Sequence, residues 1–113
     1  MEQEQHFRAL ESMYAAAPIN EFFRPSMVVS AGEAVIEIDI FPQHYHAGRA
    51  VHGAVYFKML DDAAYFAANS LEQSVFVLTT SFTTYITRPV SEGKMRAVGK
   101  VVYQNKSQFI AEA

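Results

Sequence analysis

Residues 51–70 have the sequence VHGAVYFKMLDDAAYFAANS, and this stretch decides the fold. From Gly53 to Asn69 most residues are Ala, Val, Phe, Tyr, Met or Leu, with no proline and no glycine after the first position. A helix over 53–69 would be about 25 Å long at about 1.5 Å per residue. Because a helix that is apolar around most of its circumference must be covered on most sides, the sequence predicts a central helix wrapped by a sheet.

Two adjacent carboxylates, Asp61 and Asp62, interrupt this apolar helix. Projected at about 100° per residue, Asp62 shares a narrow polar stripe with Lys58, Tyr65 and Asn69, whereas Asp61 lies at its edge, about 60° from Lys58. Asp62 follows Lys58 by four positions, which predicts a solvated ion pair. Asp61 borders the apolar face, where partial desolvation would strengthen it as a base or nucleophile. The alternative is that both aspartates face water.

The start of the helix is the second feature of this stretch. The sequence HAGRAVHGAV places Gly48, His52 and Gly53 around the first helical turn. Unpaired backbone N–H groups and the positive end of the helix dipole can bind an oxyanion at such a position. Gly53 permits close approach of the backbone, so this turn is a candidate oxyanion site.

The N-terminal half predicts a helix, a connector and a strand. Apolar residues recur at spacings of three and four through the first seventeen positions, and Pro18 ends that helix. Residues 1–24 are therefore assigned to an N-terminal helix and its connector, with His6 on the surface. Alternation of Ile36, Ile38 and Ile40 with acidic residues predicts a half-buried strand, preceded by a turn at Ala31-Gly32.

The C-terminal half predicts three strands at hairpin spacing. Residues 73–87 are rich in β-branched and aromatic residues, KMRAVGKVVYQ follows as a second strand, and a third begins after the turn NKS. The order of elements favours an α+β domain in which an antiparallel sheet packs on one helix. A chain of 113 residues is long enough for one such domain, 1–113.

Composition excludes several classes of function. The formal net charge is -3 and no run of Lys or Arg occurs, so nucleic acid is not an expected partner. The absence of cysteine excludes a disulfide scaffold, a Cys-ligated zinc site and a thiolate nucleophile. The N-terminus is acidic and polar, and no apolar run reaches about 20 residues, so we expect a cytoplasmic protein with no membrane partner.

The spacing of these motifs resembles that of the hotdog-fold acyl-CoA thioesterases, in particular the phenylacetic-acid-pathway type of the 4-hydroxybenzoyl-CoA thioesterase-like superfamily. That family's pattern is His-Gly-Gly opening a long helix, with an acidic residue nine positions after the His. Here His52-Gly53 matches the pair and Asp61 the acidic residue. Thr79 stands at the hydroxyl position of the next landmark, which Arg88-Pro89 closes. The resemblance covers roughly residues 20–113.

The resemblance implies a fold, an assembly and a reaction. The long helix would be the sausage in a bun of antiparallel sheet, and subunits would pair as homodimers or dimers of dimers, with the active site between them. The substrate would be an acyl-CoA, hydrolysed to the free acid and CoA without a metal or an organic cofactor. The Gly53 N–H of one subunit would polarise the thioester carbonyl, Asp61 of its partner would act as general base or nucleophile, and Thr79 would position the water or the carboxylate.

Six further residues are assigned to the site. His46 could donate a hydrogen bond to Asp61 or to the substrate, and we assign it to the catalytic group. The substrate-binding residues are His52, Ala54, Arg88, Lys106 and Ser107. The last three lie around strand ends where an anionic nucleotide carrier could dock, although ordinary solvated turns are an equal alternative.

The chain departs from the family pattern at three places. Ala54 replaces the second Gly of His-Gly-Gly, and His46 replaces the loop Asn, so a titratable ring stands where the family has a neutral amide. The family's sheet has one more strand after the one that begins at SQFIAEA. An unfinished sheet would leave an unpaired edge, so we expect the sequence to be truncated with its last strand missing.

Other functions stay open at this point. A metal site of His44, His46, His52 and Asp61 is the less favoured interpretation, because the H-x-H spacing on a loop fits no structural zinc pattern. A hotdog module that binds acyl-CoA or an apolar acid without catalysis, a hydratase and a structural subunit are the remaining alternatives. One fold hosts several functions, so the fold alone does not decide among them.

Overall fold

The computed structural model describes residues 2–113. Its helices and strands are α1 (Gln3–Ala16), α2 (Asn20–Phe23), β1 (Ser26–Ser30), β2 (Glu33–Asp39), α3 (Gly53–Asn69), β3 (Lys94–Gln104) and β4 (Phe109–Glu112), with a short 3-10 turn at Pro42–His44. The α+β class is confirmed, and α3 has the bounds that the sequence predicts. None of the helices within residues 2–113 is long and apolar enough to cross a membrane.

The four strands form one antiparallel sheet in the order β1-β2-β3-β4. Along β2, the predicted alternation is confirmed, since Ala34, Ile36 and Ile38 are almost completely buried and belong to the core shared with α3. The predicted turn at Ala31-Gly32 joins β1 to β2. Its glycine has φ 73°, a left-handed conformation that costs a glycine little.

Gly99 on β3 sets the closeness of α3 to the sheet. A Cβ atom at this position would lie 2.2 Å from the carbonyl oxygen of Ala63, so only a glycine fits beneath the helix. Ala63 itself is fully buried. The small pair Gly99 and Ala63 therefore lets the helix backbone rest directly on the strand.

Helix α1 closes the core from another direction. Leu10 and Tyr14 are buried, and the Tyr14 ring packs edge-on against Phe66 with ring centroids 5.0 Å apart. The prediction that His6 is a surface residue is wrong, because its side chain is buried and its Nε2 lies 2.7 Å from the carbonyl oxygen of Asn69. Its position explains this, since residues four apart on a helix share a face and His6 precedes Leu10 by four.

The strand predicted over residues 73–87 is not formed. In the described part of the chain no strand lies between α3 and β3, whereas β1, which the sequence analysis missed, is present. β-Branched residues favour a strand, but a strand also needs a neighbouring backbone to pair with. We call residues 75–88 the covering segment, because it lies along one side of α3. Leu78 and Tyr85 within it are 84% and 82% exposed.

Candidate active site

The first turn of α3 leaves one backbone donor available. His52 caps the helix through its ring, whose Nδ1 accepts a hydrogen bond from the Ala54 N–H at 2.9 Å. The Val55 N–H donates to the His52 carbonyl oxygen at 2.9 Å. Among residues 2–113, the Gly53 N–H has no such partner, so it is the amide of this turn that remains free for an anionic ligand.

The loop before α3 is held by its own hydrogen bonds. The His46 N–H donates to Ala50 O at 2.9 Å, the Arg49 N–H donates to His46 O at 2.9 Å, and the His52 N–H donates to His44 O at 2.8 Å. Arg49 has φ 67°, which such a tight turn requires of one residue. The loop therefore holds the helix start in a fixed place.

His46 and His52 stand side by side at this end of α3, with ring centroids 6.5 Å apart. The Nδ1 atom of His46 accepts the Gly48 N–H at 2.9 Å, as that of His52 accepts the Ala54 N–H. Since Nδ1 is an acceptor in both, each neutral ring carries its proton on Nε2. Both Nε2–H groups are thus donors available beside the Gly53 amide, whereas the Ala54 amide is already used.

His44 has a structural role in the same loop. It is 3% exposed, stacks on Phe23 with ring centroids 5.7 Å apart, and accepts the Phe41 N–H on Nδ1 at 3.0 Å. Burial lowers the pKa of His44, so the ring stays neutral. In the described part of the chain no group of three His, Asp or Glu side chains is arranged to hold a metal ion.

Asp61 lies at the middle of α3, facing the covering segment. Its Oδ1 accepts a hydrogen bond from the Thr79 hydroxyl at 3.1 Å. The pKa of Asp61 is raised, mainly because burial desolvates the carboxylate. The hydrogen bond from Thr79 lowers this pKa, the negative charge of Asp62 raises it and the positive charge of Lys58 lowers it. A carboxylate with a raised pKa is a better base near neutral pH.

Asp62 has a different environment from Asp61. The predicted pairing with Lys58 is present, with Nζ 2.5 Å from Oδ2. The expectation of a solvated pair is wrong, because the two side chains are only 14% and 20% exposed and the Tyr14 hydroxyl donates to the same oxygen at 2.7 Å. Tyr14 is one of the apolar residues that recur through the first seventeen positions, and that spacing predicts only packing for it. Its hydroxyl was the only signal that could have indicated a second role.

One stripe of α3 runs from the helix start to Asp61. Gly53, Phe57 and Asp61 are spaced by four, so they lie above one another on the same face. Each of the three meets a residue of the covering segment, which therefore runs antiparallel to the helix. The contacts are Gly53 with Ile86, Phe57 with Phe82 and Asp61 with Thr79.

Gly53 and Asp61 are too far apart in one chain to act on one carbonyl group. Eight positions separate them, which is about 12 Å along the helix axis. An oxyanion donor and a general base must each lie within about 3 Å of the reacting atoms or of one bridging water. His46, in the loop at the Gly53 end, is likewise far from Asp61. Gly53 and Asp61 are therefore two separate halves of the candidate site.

Two cavities, of about 430 Å³ and 290 Å³, lie away from this stripe. The larger is bounded by the β1-β2 turn and β3, and the smaller lies between α1 and the residues that follow α3. Neither is lined by Gly53, Phe57 or Asp61. The open stripe, and not an enclosed cavity, carries the candidate chemistry.

Of the three residues assigned to an anionic carrier, Arg88 lies nearest to the helix start. Its carbonyl oxygen accepts a hydrogen bond from the Tyr56 hydroxyl, in the first turn of α3, at 3.1 Å. Lys106 and Ser107 lie in the β3-β4 turn, where Ser107 donates through both its N–H and its hydroxyl to Asn105. The structure thus joins Arg88 to the site region and leaves the other two in an exposed turn.

Solved structures share this fold. The E. coli PaaI protein from the phenylacetic acid degradation operon superimposes with a TM-score of 0.85 at 21% identity, over 96% of this chain and 79% of that one. A thioesterase family protein from Silicibacter pomeroyi gives 0.86 at 20% identity, over 97% and 80%. Zebrafish thioesterase superfamily member 2 gives 0.80 at 16% identity, over 93% and 81%. The predicted hotdog fold is confirmed.

Sequence comparison adds the family. None of the curated proteins compared with this chain is a significant match. The family model of the thioesterase superfamily matches residues 48–113, which include the last residues of the loop before α3, α3 itself, the covering segment and both later strands. This is more than half of the 113 residues. The chain belongs to the thioesterase superfamily.

Proposed function

We propose that the protein hydrolyses an acyl-CoA thioester to the free acid and CoA, at a site shared between two copies of the chain. Membership of the thioesterase superfamily supports a thioester hydrolase. The observation that carries the proposal is the pairing of a free Gly53 amide at one end of α3 with a carboxylate of raised pKa at Asp61, about 12 Å along the same helix.

In the favoured route, Asp61 acts as general base. It takes a proton from a water molecule, whose oxygen attacks the thioester carbon, and the carbonyl oxygen becomes an oxyanion that the Gly53 N–H stabilises. The tetrahedral intermediate then expels the CoA thiolate, which receives the proton. In the alternative route the Asp61 carboxylate attacks the same carbon and forms an anhydride as the C–S bond breaks and the CoA thiolate leaves. Water then hydrolyses the anhydride, which restores the Asp61 carboxylate and releases the acid and the proton that the thiolate takes up.

The remaining site residues have roles that suit their positions. Thr79 holds the Asp61 carboxylate through its hydroxyl. The Nε2–H groups of His46 and His52 are available to the substrate beside Gly53. We assign Arg88, whose carbonyl oxygen accepts from Tyr56, to the phosphate groups of CoA, and Lys106 and Ser107 would contribute only through the partner copy. Ala54 contributes its small side chain, since its amide is engaged.

A second copy of the chain explains how the two halves meet. If two α3 helices lie antiparallel with their stripes side by side, Gly53 of one can face Asp61 of the other. The covering segment exposes Leu78 and Tyr85, and Phe57 between the two halves is 44% exposed. Apolar side chains of this kind favour association with a partner. We therefore propose a homodimer, alone or as a dimer of dimers.

The second candidate is a module that binds acyl-CoA or an apolar acid without hydrolysing it. One observation favours it, since His46 stands in place of the family's Asn and uses its Nδ1 on the Gly48 N–H within its own loop. If the family's Asn supplies a group that His46 does not, binding would persist while turnover is lost.

Release of free thiol from short, medium, long and aromatic acyl-CoAs tests the proposal. We expect the wild type to turn over at least one of them and Asp61→Asn to lose about 10²–10⁴-fold in kcat. Asp62→Asn is the matched comparison, because it removes the neighbouring carboxylate, and we expect it to lose no more than a few-fold at neutral pH, far less than Asp61→Asn. Equal losses in the two variants would contradict the role of Asp61. Binding of acyl-CoA without turnover in the wild type would favour the second candidate.

A further inference from the structure

Lys58 has two possible carboxylate partners on its own helix. It precedes Asp61 by three positions and Asp62 by four, and both spacings allow an ion pair. The structure shows it on Asp62, with Nζ 2.5 Å from Oδ2. Since an ammonium on Asp61 would hold that carboxylate ionised and weaken it as a base, the choice between the two partners bears on catalysis.

Two groups outside α3 explain this choice. The Tyr14 hydroxyl, on α1, donates to Asp62 Oδ2 at 2.7 Å and fixes that carboxylate on the side of α1. The Lys58 ammonium lies 5.1 Å from the centroid of the Tyr14 ring and 5.1 Å from that of Phe23, within the range of a cation–π interaction. The ammonium is thus held among Asp62 and two aromatic rings from α1 and α2, whereas the Asp61 carboxylate is bonded to Thr79.

We propose that Tyr14, Lys58 and Asp62 form a positioning cluster, which holds the ammonium on Asp62 and away from Asp61, so that Asp61 stays free to accept a proton. The catalytic meaning of the cluster rests on the proposed function of Asp61 as base. The cluster touches neither Gly53 nor the covering segment at Thr79, so its members act through Asp61 and are positioning residues.

The groups that act on Asp61 come from two elements. Lys58, Asp62 and Tyr65 lie on α3, and Thr79 reaches it from the covering segment. The negative charge of Asp62 raises the pKa of Asp61 and the positive charge of Lys58 lowers it. Tyr65 is neutral near pH 7, because burial and the charge of Asp61 raise its pKa. Removing Lys58 should therefore shift the pKa of Asp61 in the opposite direction to removing Asp62.

The test is a pH titration of the Asp61 side-chain carboxyl by ¹³C NMR, with Asp61→Asn to assign its signal. We expect Lys58→Met to raise the midpoint and Asp62→Asn to lower it, each by about half a pH unit to one unit. The double variant should return close to the wild type, because both charges are gone. Equal midpoints in all four proteins would overturn the proposal.

Tyr14→Phe separates positioning from direct charge. Tyr14 is neutral and bonds to Asp62, so its hydroxyl can affect Asp61 only by releasing Lys58. We expect a smaller downward shift of the Asp61 midpoint in this variant and none in Tyr45→Phe, which loses a hydroxyl bonded to the Ser91 carbonyl oxygen. No shift of the Asp61 midpoint in Tyr14→Phe would overturn the positioning role. This variant also tests the proposal if Lys58→Met fails to fold.

Kinetics distinguish this proposal from the proposed function. In an active enzyme, the acid limb of kcat/KM should move with the NMR midpoint in each variant. If the cluster had a merely structural role, the variants would change the free energy of unfolding but leave the Asp61 NMR midpoint and the acid limb of kcat/KM in place. Shifting midpoints in a protein that hydrolyses no thioester would support the cluster while overturning the proposed function.

Discussion

The two long sides of α3 are built differently. Towards the sheet, Ala63 lies directly on Gly99, and the fully buried side chains of β2 complete a closed interface. On the other side, the covering segment meets the helix through one residue at a time, and the chain forms no strand there within residues 2–113. The difference separates stability from chemistry. The sheet side fixes where the helix lies, and the open side carries Gly53, Phe57 and Asp61, which we propose to face a partner copy.

The open side should be most sensitive at the Gly53 amide. Gly53→Pro removes this N–H, and we expect a loss of about 10²–10³-fold in kcat, or about 2.7–4 kcal/mol, as for other single oxyanion donors. Proline is favoured at the first helical position, and His52 already has the extended backbone, φ -63° and ψ 143°, that precedes proline. Steady-state kinetics on the best acyl-CoA measures the effect.

The control for this variant is Gly53→Ala. It keeps the N–H and adds a Cβ at an ordinary 3.5 Å from Ile86 Cδ1. We expect its kcat to stay within a few-fold of the wild type. A similar loss in both variants would show that space, and not the hydrogen bond, matters at this position.

The sheet side should be most sensitive at Gly99. Gly99→Ala forces a Cβ into the Ala63 carbonyl, which backbone atoms cannot easily avoid, and we expect it to lower the free energy of unfolding by about 3 kcal/mol. Urea denaturation measures the loss. Gly93→Ala is the control, since nothing lies within 4 Å of its Cβ. Its only expected cost is the backbone strain of a non-glycine residue at a φ of 92°, about 1–2 kcal/mol. Equal losses would mean that α3 is not in such close contact with β3.

The smallest effect concerns the pH dependence of the open side. Since the pKa of Asp61 is raised, activity should fall as pH drops through that pKa, because the protonated acid cannot accept a proton. Thr79→Val removes a hydrogen bond that lowers this pKa, so the acid limb of kcat/KM should move up by about half a pH unit. Thr80→Val, the exposed neighbour, should leave the limb in place. A downward shift in Thr79→Val would contradict the hydrogen bond.

Periodicity was sufficient to predict the elements whose burial is complete within one chain. α3 and the alternating strand β2 bury their apolar residues against each other, and their patterns predicted both. Residues 73–87 have the composition of a strand, but in the described chain their backbone has no strand beside it. Burial alternates along the missed strand β1, but its sequence SMVVS does not show this, because Val28 is exposed and as apolar as the buried Val29 beside it.

The candidate site could be predicted only as far as local spacing reaches. The nine-residue distance from His52 selected Asp61, and the four-residue distance linked Lys58 to Asp62. Tyr14 joins Asp62 from 48 positions away, and no local pattern indicates such a contact. The hydrogen bond from the Gly48 N–H to the His46 ring could not be predicted either, because it depends on the conformation of the loop.

The central claim is that Gly53 of one copy and Asp61 of another form each active site. Mixing two inactive variants, Gly53→Pro and Asp61→Asn, under conditions that exchange subunits tests it directly. Mixed dimers would contain one intact site out of two, so an equal mixture should recover about a quarter of the wild-type turnover, half of the dimers being mixed. A mixture as inactive as its two components, with subunit exchange verified by mass spectrometry, would contradict the shared site.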